Sequence, residues 1–409
     1  MKIAIATAVY YPMINGVAVF SHNLAVGLAQ RGHEVIVLCP SQTGRNYART
    51  IDGVKTVYLK SVQAKVYPDQ IHAVPKKRRL FYRHGFRVSV FPQREIKKAL
   101  DSFDPDVVHV QVSDPIGLSV VAYARRHNIP IVTTEHNQPD VITDPLHMPG
   151  FVKKSVDALL SAYFVNRQSK SDFVTMPTKQ AIDNLILSRN KEFNVPVAAV
   201  SNGVDLTNFK PGKAKADIYN KYGIPQDRLV VLYVGRVDPE KKVGMIVDAF
   251  RKTREKVPKA MLIIVGDGVD KTRLEKKVIK DGLVEDVKFL GRVLPPDLYE
   301  LYKVGDVFAT ASEIETQGIV LIEAAATGLP LVAVDKGAVN EICVTNENGF
   351  LCEPRNVEEI SVAMVKILSD EKMRGRFAEN SIKIAHEHDF EKTLDKFENI
   401  YKKVIANKK

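Results

Sequence analysis

Apolar and polar positions follow two periods along this chain. Short, nearly continuous apolar runs at 2–7, 33–38, 54–59, 107–110, 131–134, 173–176 and 197–200 have the length of strands. Between several of them, at 18–31, 116–126 and 152–168, apolar residues recur three and four apart. A buried run followed by a helical period reads as a βαβ unit, and so as a parallel sheet covered by helices. In the first such unit the loop 8–17 carries Pro12 and Asn15-Gly16, the helix is marked by Phe20, Leu24 and Leu28, and Gly32 stops it. From 206 to 228 the chain is polar and lysine-rich, with Pro211-Gly212 inside. Apolar runs then restart at 229–234, 261–265, 287–290, 304–309 and 331–334. The expected fold class is α/β, with two doubly wound parallel sheets. Helices are expected at 357–369, 371–387 and 390–406. In the last, Phe390, Leu394, Phe397, Ile400, Tyr401 and Val404 form a packing stripe.

Ligands of such sheets bind beyond the carboxyl ends of the strands, so the chemistry is sought there. The stretch TASEIETQGIVLIEAAATGLP, 310–330, holds Glu315 and Glu323 eight residues apart. Gly318 lies between them, and a helical run, 319–326, is closed by Gly328 and Pro330. A helix N-terminus suits a phosphate. Two carboxylates beside it would repel that phosphate, so they read as acceptors for sugar or ribose hydroxyls; simple complementation of the helix dipole is the plain alternative. After 229–234 comes Gly235-Arg236, then Lys241-Lys242, residues able to clamp a diphosphate through a fork and a point charge, unless this is only a solvated loop. Gly266-Asp267-Gly268 and Gly291-Arg292-Val293 end two further strands. Four such edges in succession point to one nucleotide-sugar pocket. In the first half, Gly16 would allow close backbone approach, with a plain turn as the alternative. His109 and Gln111 share one side of a strand, and Glu135-His136-Asn137 gathers polar groups at a strand end. His136 is the stronger candidate; His109 also reads as a satisfied strand residue.

Composition adds a partner. The 409 residues suit two domains, and 45% hydrophobic with 26% charged residues is ordinary for a soluble protein. Three cysteines without metal spacing fit a reducing compartment. No apolar run has spanning length, and the first residues alternate as a strand rather than a signal peptide. The net charge of +11, with a pI near 9.3, asks for an anionic partner. Segment 75–98 concentrates it. Lys76, Lys77, Arg78, Arg79, Arg83, Arg87, Arg94, Lys97 and Lys98 face one acid, Glu95. Among them stand Leu80, Phe81, Tyr82, Phe86, Val88, Val90 and Phe91. Basic residues mixed with aromatics suit an interfacial membrane segment. Nucleic-acid binding ranks below it, since no nucleic-acid motif accompanies the patch; a solvated basic face is the plain alternative.

Taken in order, Asn15-Gly16, SNGVD at 201–205, GRVDPEK at 235–241, GDG at 266–268 and E-x7-E followed by ATGLP resemble the family-4 retaining glycosyltransferases of the GT-B fold. The resemblance runs over nearly the whole chain, and the set is specific although no single motif is. It implies two Rossmann-like domains facing a deep cleft. Residues 1–200 would bind the acceptor and 201–385 the nucleotide sugar, with a last helix, 386–409, crossing back. It implies that Arg236 and Lys241, or its neighbour Lys242, hold the donor diphosphate with the amides of Gly318 and Ile319. Glu323 would take the ribose hydroxyls, and Glu315 would sit beside the donor sugar, with His136 near it. Gly16 and Gly266 would border the donor, and the backbone at Arg292-Val293 would meet the base. His136, Arg236, Lys241 and Glu315 form the implied catalytic set, with no metal and no cofactor.

The wording Glu315-Thr316-Gln317-Gly318 looks like the diacylglycerol glucosyltransferases, which places Thr316 and Gln317 in the donor loop. The usual Glu-Ala-Met-Ala is here Glu323-Ala324-Ala325-Ala326. The implied reaction moves glucose from UDP-glucose to diacylglycerol at the inner face of the cell membrane. The departing phosphate would accept the acceptor proton; a covalent intermediate on Glu315 is the alternative. GDP-mannose with a phosphoinositide or soluble acceptor competes within the family. A non-catalytic anionic-surface-binding protein competes from outside it, but Arg236, Lys241, Glu315 and Glu323 are all present.

Overall fold

Buried β-branched runs pair in parallel wherever a helix separates them. The computed structural model describes residues 1–11, 13, 15–63, 87–111, 114–136, 143, 149–189 and 193–408. Lys76, Lys77, Arg78, Arg79, Phe81, Tyr82, Arg83 and Phe86, expected at a membrane surface, lie outside these residues, as does Asn137. The described residues divide between two units, Met1–Ser201 with Thr393–Lys409, and Asn202–Lys392.

Unit 1 begins with β1 (Lys2–Ala6), α1 (Gly16–Gln30), β2 (Glu34–Pro40), β3 (Tyr47–Ile51), β4 (Val54–Leu59), β5 (Ser61–Gln63) and β6 (Arg87–Ser89). It continues with α2 (Gln93–Phe103), β7 (Val107–Val110), α3 (Pro115–Arg126), β8 (Ile131–Thr134), α4 (Gly150–Gln168), β9 (Phe173–Met176), α5 (Lys179–Arg189) and β10 (Val197–Ala199). The sheet order is β10-β9-β8-β7-β1-β2-β4-β3, parallel except at β3. Caps set the helix starts. Asn15 accepts from the Ala18 N–H at 2.8 Å, and Asp114 from the Gly117 N–H at 2.8 Å with Pro115 just inside. The antiparallel edge strand β3 was not expected. Its sequence, YARTI, is largely exposed, and Tyr47 is fixed by stacking on Tyr58 at 4.4 Å. The short β5–β6 hairpin was also not read.

Unit 2 contains α6 (Ala216–Tyr222), β11 (Leu229–Val234), α7 (Val243–Lys256), β12 (Ala260–Val265), α8 (Lys271–Lys280), β13 (Val287–Gly291) and α9 (Asp297–Tyr302). Then follow β14 (Val307–Ala309), α10 (Ile319–Ala326), β15 (Leu331–Val334), β16 (Gly349–Cys352), α11 (Val357–Ser369) and α12 (Glu371–His386). Its sheet order is β13-β12-β11-β14-β15-β16, all parallel. Alternate residues of β11 feed opposite cores: Val231 and Tyr233 one, Val230 and Leu232 the other. This explains the continuous apolar run, because both faces are covered. The strand expected from residue 304 starts only at Val307, since the Val304 N–H closes a turn on the Leu301 carbonyl.

The chain ends in α13 (Phe390–Lys408), whose residues from Thr393 belong to unit 1. Phe397 and Tyr401 are fully buried there, and Arg31 pairs with Asp395 at 2.7 Å. No helix among the described residues is long and apolar enough to cross a membrane.

Candidate active site

Strand order selects the place to look. In unit 2 it reverses between β11 and β14, and such reversals open a crevice at the carboxyl edge. Lys241 ends a 3₁₀ turn, Pro239–Lys241, after β11; Glu315 lies in the loop after β14. Lys241 Nζ is 2.6 Å from Glu315 Oε1, 3.4 Å from Ser312 Oγ and 3.5 Å from the Ile314 carbonyl. Lys242 goes elsewhere. It adopts a left-handed φ of 50°, leads into α7, and pairs with Glu313. Glu313 also meets Lys336 at 3.2 Å and Arg355 at 3.5 Å. Burial opposes its charge, but Lys242 and Lys336 outweigh that and hold its carboxyl below the usual range. The two adjacent lysines thus serve different carboxylates, and Lys241 is the one at Glu315. Arg236 is half exposed, its fork held by Asp238 and by Glu240 at 2.7 Å. Burial works against the guanidinium, yet Glu240 and Asp238 raise its pKa above the ordinary value.

The glycines of the neighbouring edges have a backbone cause. Gly235 donates to the Val265 carbonyl at 3.0 Å, Gly266 to Gly291 at 2.8 Å, and Val237 to Asp267 at 3.0 Å. The loops after β11, β12 and β13 are therefore laced together. Gly266 has a φ of 139°, and a Cβ there would stand 1.8 Å from the Gly235 carbonyl oxygen; one at Gly268 would be 2.2 Å from that of Val237. Gly266→Ala should consequently destabilise unit 2 by several kcal/mol, on the order of 3. Urea denaturation measures this, and an unchanged midpoint would contradict the packing. Arg292 is exposed, while Val293 packs against an apolar cluster.

Gly318 caps α10 with a φ of 77° and no side-chain hydrogen bond. Ile319 and Thr316 are partly buried, and the buried Gln317 accepts from the Asn202 N–H at 3.0 Å, tying the SNGVD segment to this loop. Glu323 is partly buried on α10, and its Oε2 accepts from the Tyr302 hydroxyl at 2.5 Å. Burial pushes its carboxyl up to about 7, with the Tyr302 bond acting the other way.

Gly16 and His136 belong to unit 1, whose strand order reverses between β1 and β7. Gly16 opens α1 and is exposed. His136, just past β8, donates from Nε2 to Gln111 Oε1 at 2.8 Å, and the Phe20 ring meets its imidazole edge-on at 5.3 Å. Burial drives that imidazole down to about 3, so it is neutral at physiological pH. Glu135 does not join it; its carboxylate accepts from Gln168 at 2.9 Å. His109 is a core residue, fully buried, with Tyr401 and Thr134 hydroxyls both at 2.7 Å. Arg87 does not present its fork to a surface: Nε and Nη2 donate to Ser61 at 2.9 and 3.0 Å.

Tyr302, Glu313 and Gln111 were not read as site groups, although His136, which donates to Gln111, was. Each comes together across sheet neighbours, and only the position of Gln111 just beyond a strand end could have signalled it. No group of three or more His, Cys, Asp or Glu among the described residues is placed to hold a metal ion.

Comparison with known proteins accounts for both units. Residues 14–208 match the model of Glycosyltransferase Family 4, and 214–384 that of Glycosyl transferases group 1. The chain is 27% identical over 393 residues to an alpha-monoglucosyldiacylglycerol synthase of Acholeplasma laidlawii, covering 93% of this chain and 92% of that protein. It is 28% identical over 358 residues to a GDP-mannose-dependent alpha-mannosyltransferase of Mycobacterium tuberculosis, covering 86% and 83%. Among solved structures it is similar to a sucrose-phosphate synthase from Thermosynechococcus elongatus, with a TM-score of 0.78, 20% identity and 99% of each chain covered. It is also similar to Anabaena Alr3699/HepE in complex with UDP-glucose, with a TM-score of 0.69, 19% identity and 98% and 100% covered. The chain belongs to the family-4 glycosyltransferases and has their GT-B architecture of two parallel-sheet α/β domains.

Proposed function

We propose that this glycosyltransferase moves glucose from UDP-glucose to a diacylglycerol-type lipid with retention of configuration. One observation carries the donor assignment: Lys241 and Glu315 meet at 2.6 Å where the unit 2 sheet reverses. A cation and a carboxylate side by side suit a substrate that is phosphate at one end and polyol at the other. In this reading Arg236, Lys241 and the first amides of α10 hold the diphosphate, and Glu323 takes the ribose hydroxyls. Glu315 meets the sugar, Gln317 shapes the loop, and Gly16 and His136 are the unit 1 members of the set. Neutral His136 suits hydrogen bonding to a sugar hydroxyl rather than charge stabilisation. As the glycosidic C–O bond breaks, the electron pair stays on the diphosphate. Its oxygen takes the proton of the attacking acceptor hydroxyl, while the cations stabilise the growing charge.

Glucose and a lipid acceptor are supported by similarity to the alpha-monoglucosyldiacylglycerol synthase. The basic and aromatic composition of segment 75–98 supports a peripheral position, read as the cytoplasmic membrane face. The similarity to the GDP-mannose-dependent enzyme supports a second reading, mannose transfer from GDP-mannose. The test offers purified protein UDP-glucose, UDP-galactose, UDP-N-acetylglucosamine and GDP-mannose, with and without diacylglycerol in anionic vesicles. UDP-glucose consumption that requires the lipid is expected. Turnover of another donor, or turnover indifferent to lipid, discards the specific assignment. Since protein cations neutralise the leaving group, activity should persist in excess chelator. Loss on chelation with recovery on adding a divalent ion would refute that part.

A further inference from the structure

We propose that Gln111 is a positioning residue for the transfer reaction: it fixes His136 in the tautomer protonated at Nε2, so that Nδ1 meets a hydroxyl of the donor sugar as an acceptor only. The inference rests on the reading of His136 as a member of the donor set. Gln111 follows β7, and His136 follows the neighbouring strand β8, whose register pairs Val110 with Thr133. Gln111 is fully buried, and its Oε1 lies 2.8 Å from His136 Nε2.

The other end of the Gln111 amide sets the direction of that bond. Gln111 Nε2 stands 3.4 Å from His109 Nδ1 and 3.2 Å from His109 Nε2. Both ring nitrogens already meet hydroxyls at 2.7 Å, Tyr401 at Nδ1 and Thr134 at Nε2. A third group almost equally far from the two nitrogens has to lie over the face of the ring. Burial keeps that imidazole neutral, and a neutral aromatic face attracts an N–H and repels a carbonyl oxygen. The amide NH2 therefore belongs on His109 and the carbonyl on His136. A carbonyl only accepts, so His136 supplies the proton from Nε2, and in a neutral imidazole Nδ1 then keeps its lone pair. Phe20, itself buried, packs edge-on at 5.3 Å and resists a flip of the His136 ring that would exchange the nitrogens. Burial holds the His136 imidazole far below neutrality, so Nδ1 accepts a hydrogen bond without taking the proton. A sugar hydroxyl aimed at it must donate.

The test uses the full chain with nitrogen-15 in its histidines and reads their tautomers from long-range proton–nitrogen correlations at neutral pH. His136→Asn identifies the His136 signals among the ten histidines. The wild type should show His136 protonated at Nε2 alone. Gln111→Met, similar in size but without the carbonyl acceptor, should lose that single tautomer. It should also bind UDP-glucose roughly three- to tenfold more weakly, with the affinity for UDP unchanged. A wild-type His136 protonated at Nδ1 overturns the proposal whether or not the variant folds. An Nε2-protonated tautomer that persists in Gln111→Met overturns it as well. A lost tautomer with unchanged UDP-glucose affinity removes Gln111 from the reaction. If His136→Asn also binds UDP-glucose as the wild type does, the place of His136 at the sugar falls with it, while the unit 2 donor residues stand.

Discussion

Arg236→Ala should lower turnover roughly a hundred- to a thousandfold, with the fold retained. The guanidinium is half exposed and clamped by Asp238 and Glu240, so its charge is aimed before any donor arrives. In the proposed donor site, preorganised charge of this kind would act on the leaving diphosphate most strongly in the transition state, which lowers the barrier rather than only tightening binding. The fold should survive because Asp238 still accepts from the Val269 N–H at 3.0 Å when the arginine is gone. Arg236→Lys should restore only part of the rate, since an ammonium cannot reproduce the planar fork. The measurements are kcat with UDP-glucose and the thermal midpoint. A variant with near-wild-type kcat would remove Arg236 from the mechanism. Lys241→Ala is the harsher change, because it strands the largely buried Glu315 carboxylate without its cation.

Glu323→Gln should make the protein more stable at alkaline pH while weakening its hold on the donor. The folded carboxyl keeps its proton to about pH 7, against an ordinary value of 4.5. Its favourable contribution is therefore complete below pH 4.5 and disappears as pH rises through 7. Above that, the ionised and partly buried group costs about 3 kcal/mol. Glutamine stays neutral, so the variant should gain up to that amount at pH 8 and nothing at pH 4.5, read by urea denaturation at the two values. Donor affinity should move the opposite way. Ribose hydroxyls donate best to an ionised carboxylate, and losing that acceptor should weaken UDP-glucose binding roughly 10- to 100-fold. The diphosphate of UDP-glucose does not titrate near neutrality. Wild-type affinity should thus increase between pH 6 and 8 and the variant's should not. Equal affinities at pH 8 would take Glu323 out of the donor site.

The sheets were legible because strands covered on both faces must be apolar throughout, as 229–234 and 261–265 are. The glycine-marked edges were legible for a related reason, although Gly266 and Gly268 answer first to neighbouring backbone. What escaped depends on partners far apart in sequence. The YARTI strand is polar and exposed, so no period marks it; stacking on Tyr58 does. Tyr302 lies 21 residues from Glu323 and reaches it only because α9 and α10 flank one strand. The different partners of Lys241 and Lys242 follow from the left-handed turn at Lys242, which swings the second lysine to Glu313. His109 shows the reverse case. Its position near a strand end left a site role and a satisfied strand residue both open, and two hydroxyls, one from the last helix, make it core.

That last helix sets an order of events during synthesis. Unit 1 needs Phe397 and Tyr401 against His109 and Phe20, yet residues 202–392 must be made before they appear. On the ribosome, the first two hundred residues will have emerged long before their closing helix exists. Unit 2 is continuous and can fold as it leaves. The nascent unit 1 must wait with an apolar face uncovered, so an amber stop placed at residue 392 should yield a protein that chaperones hold and proteases clear.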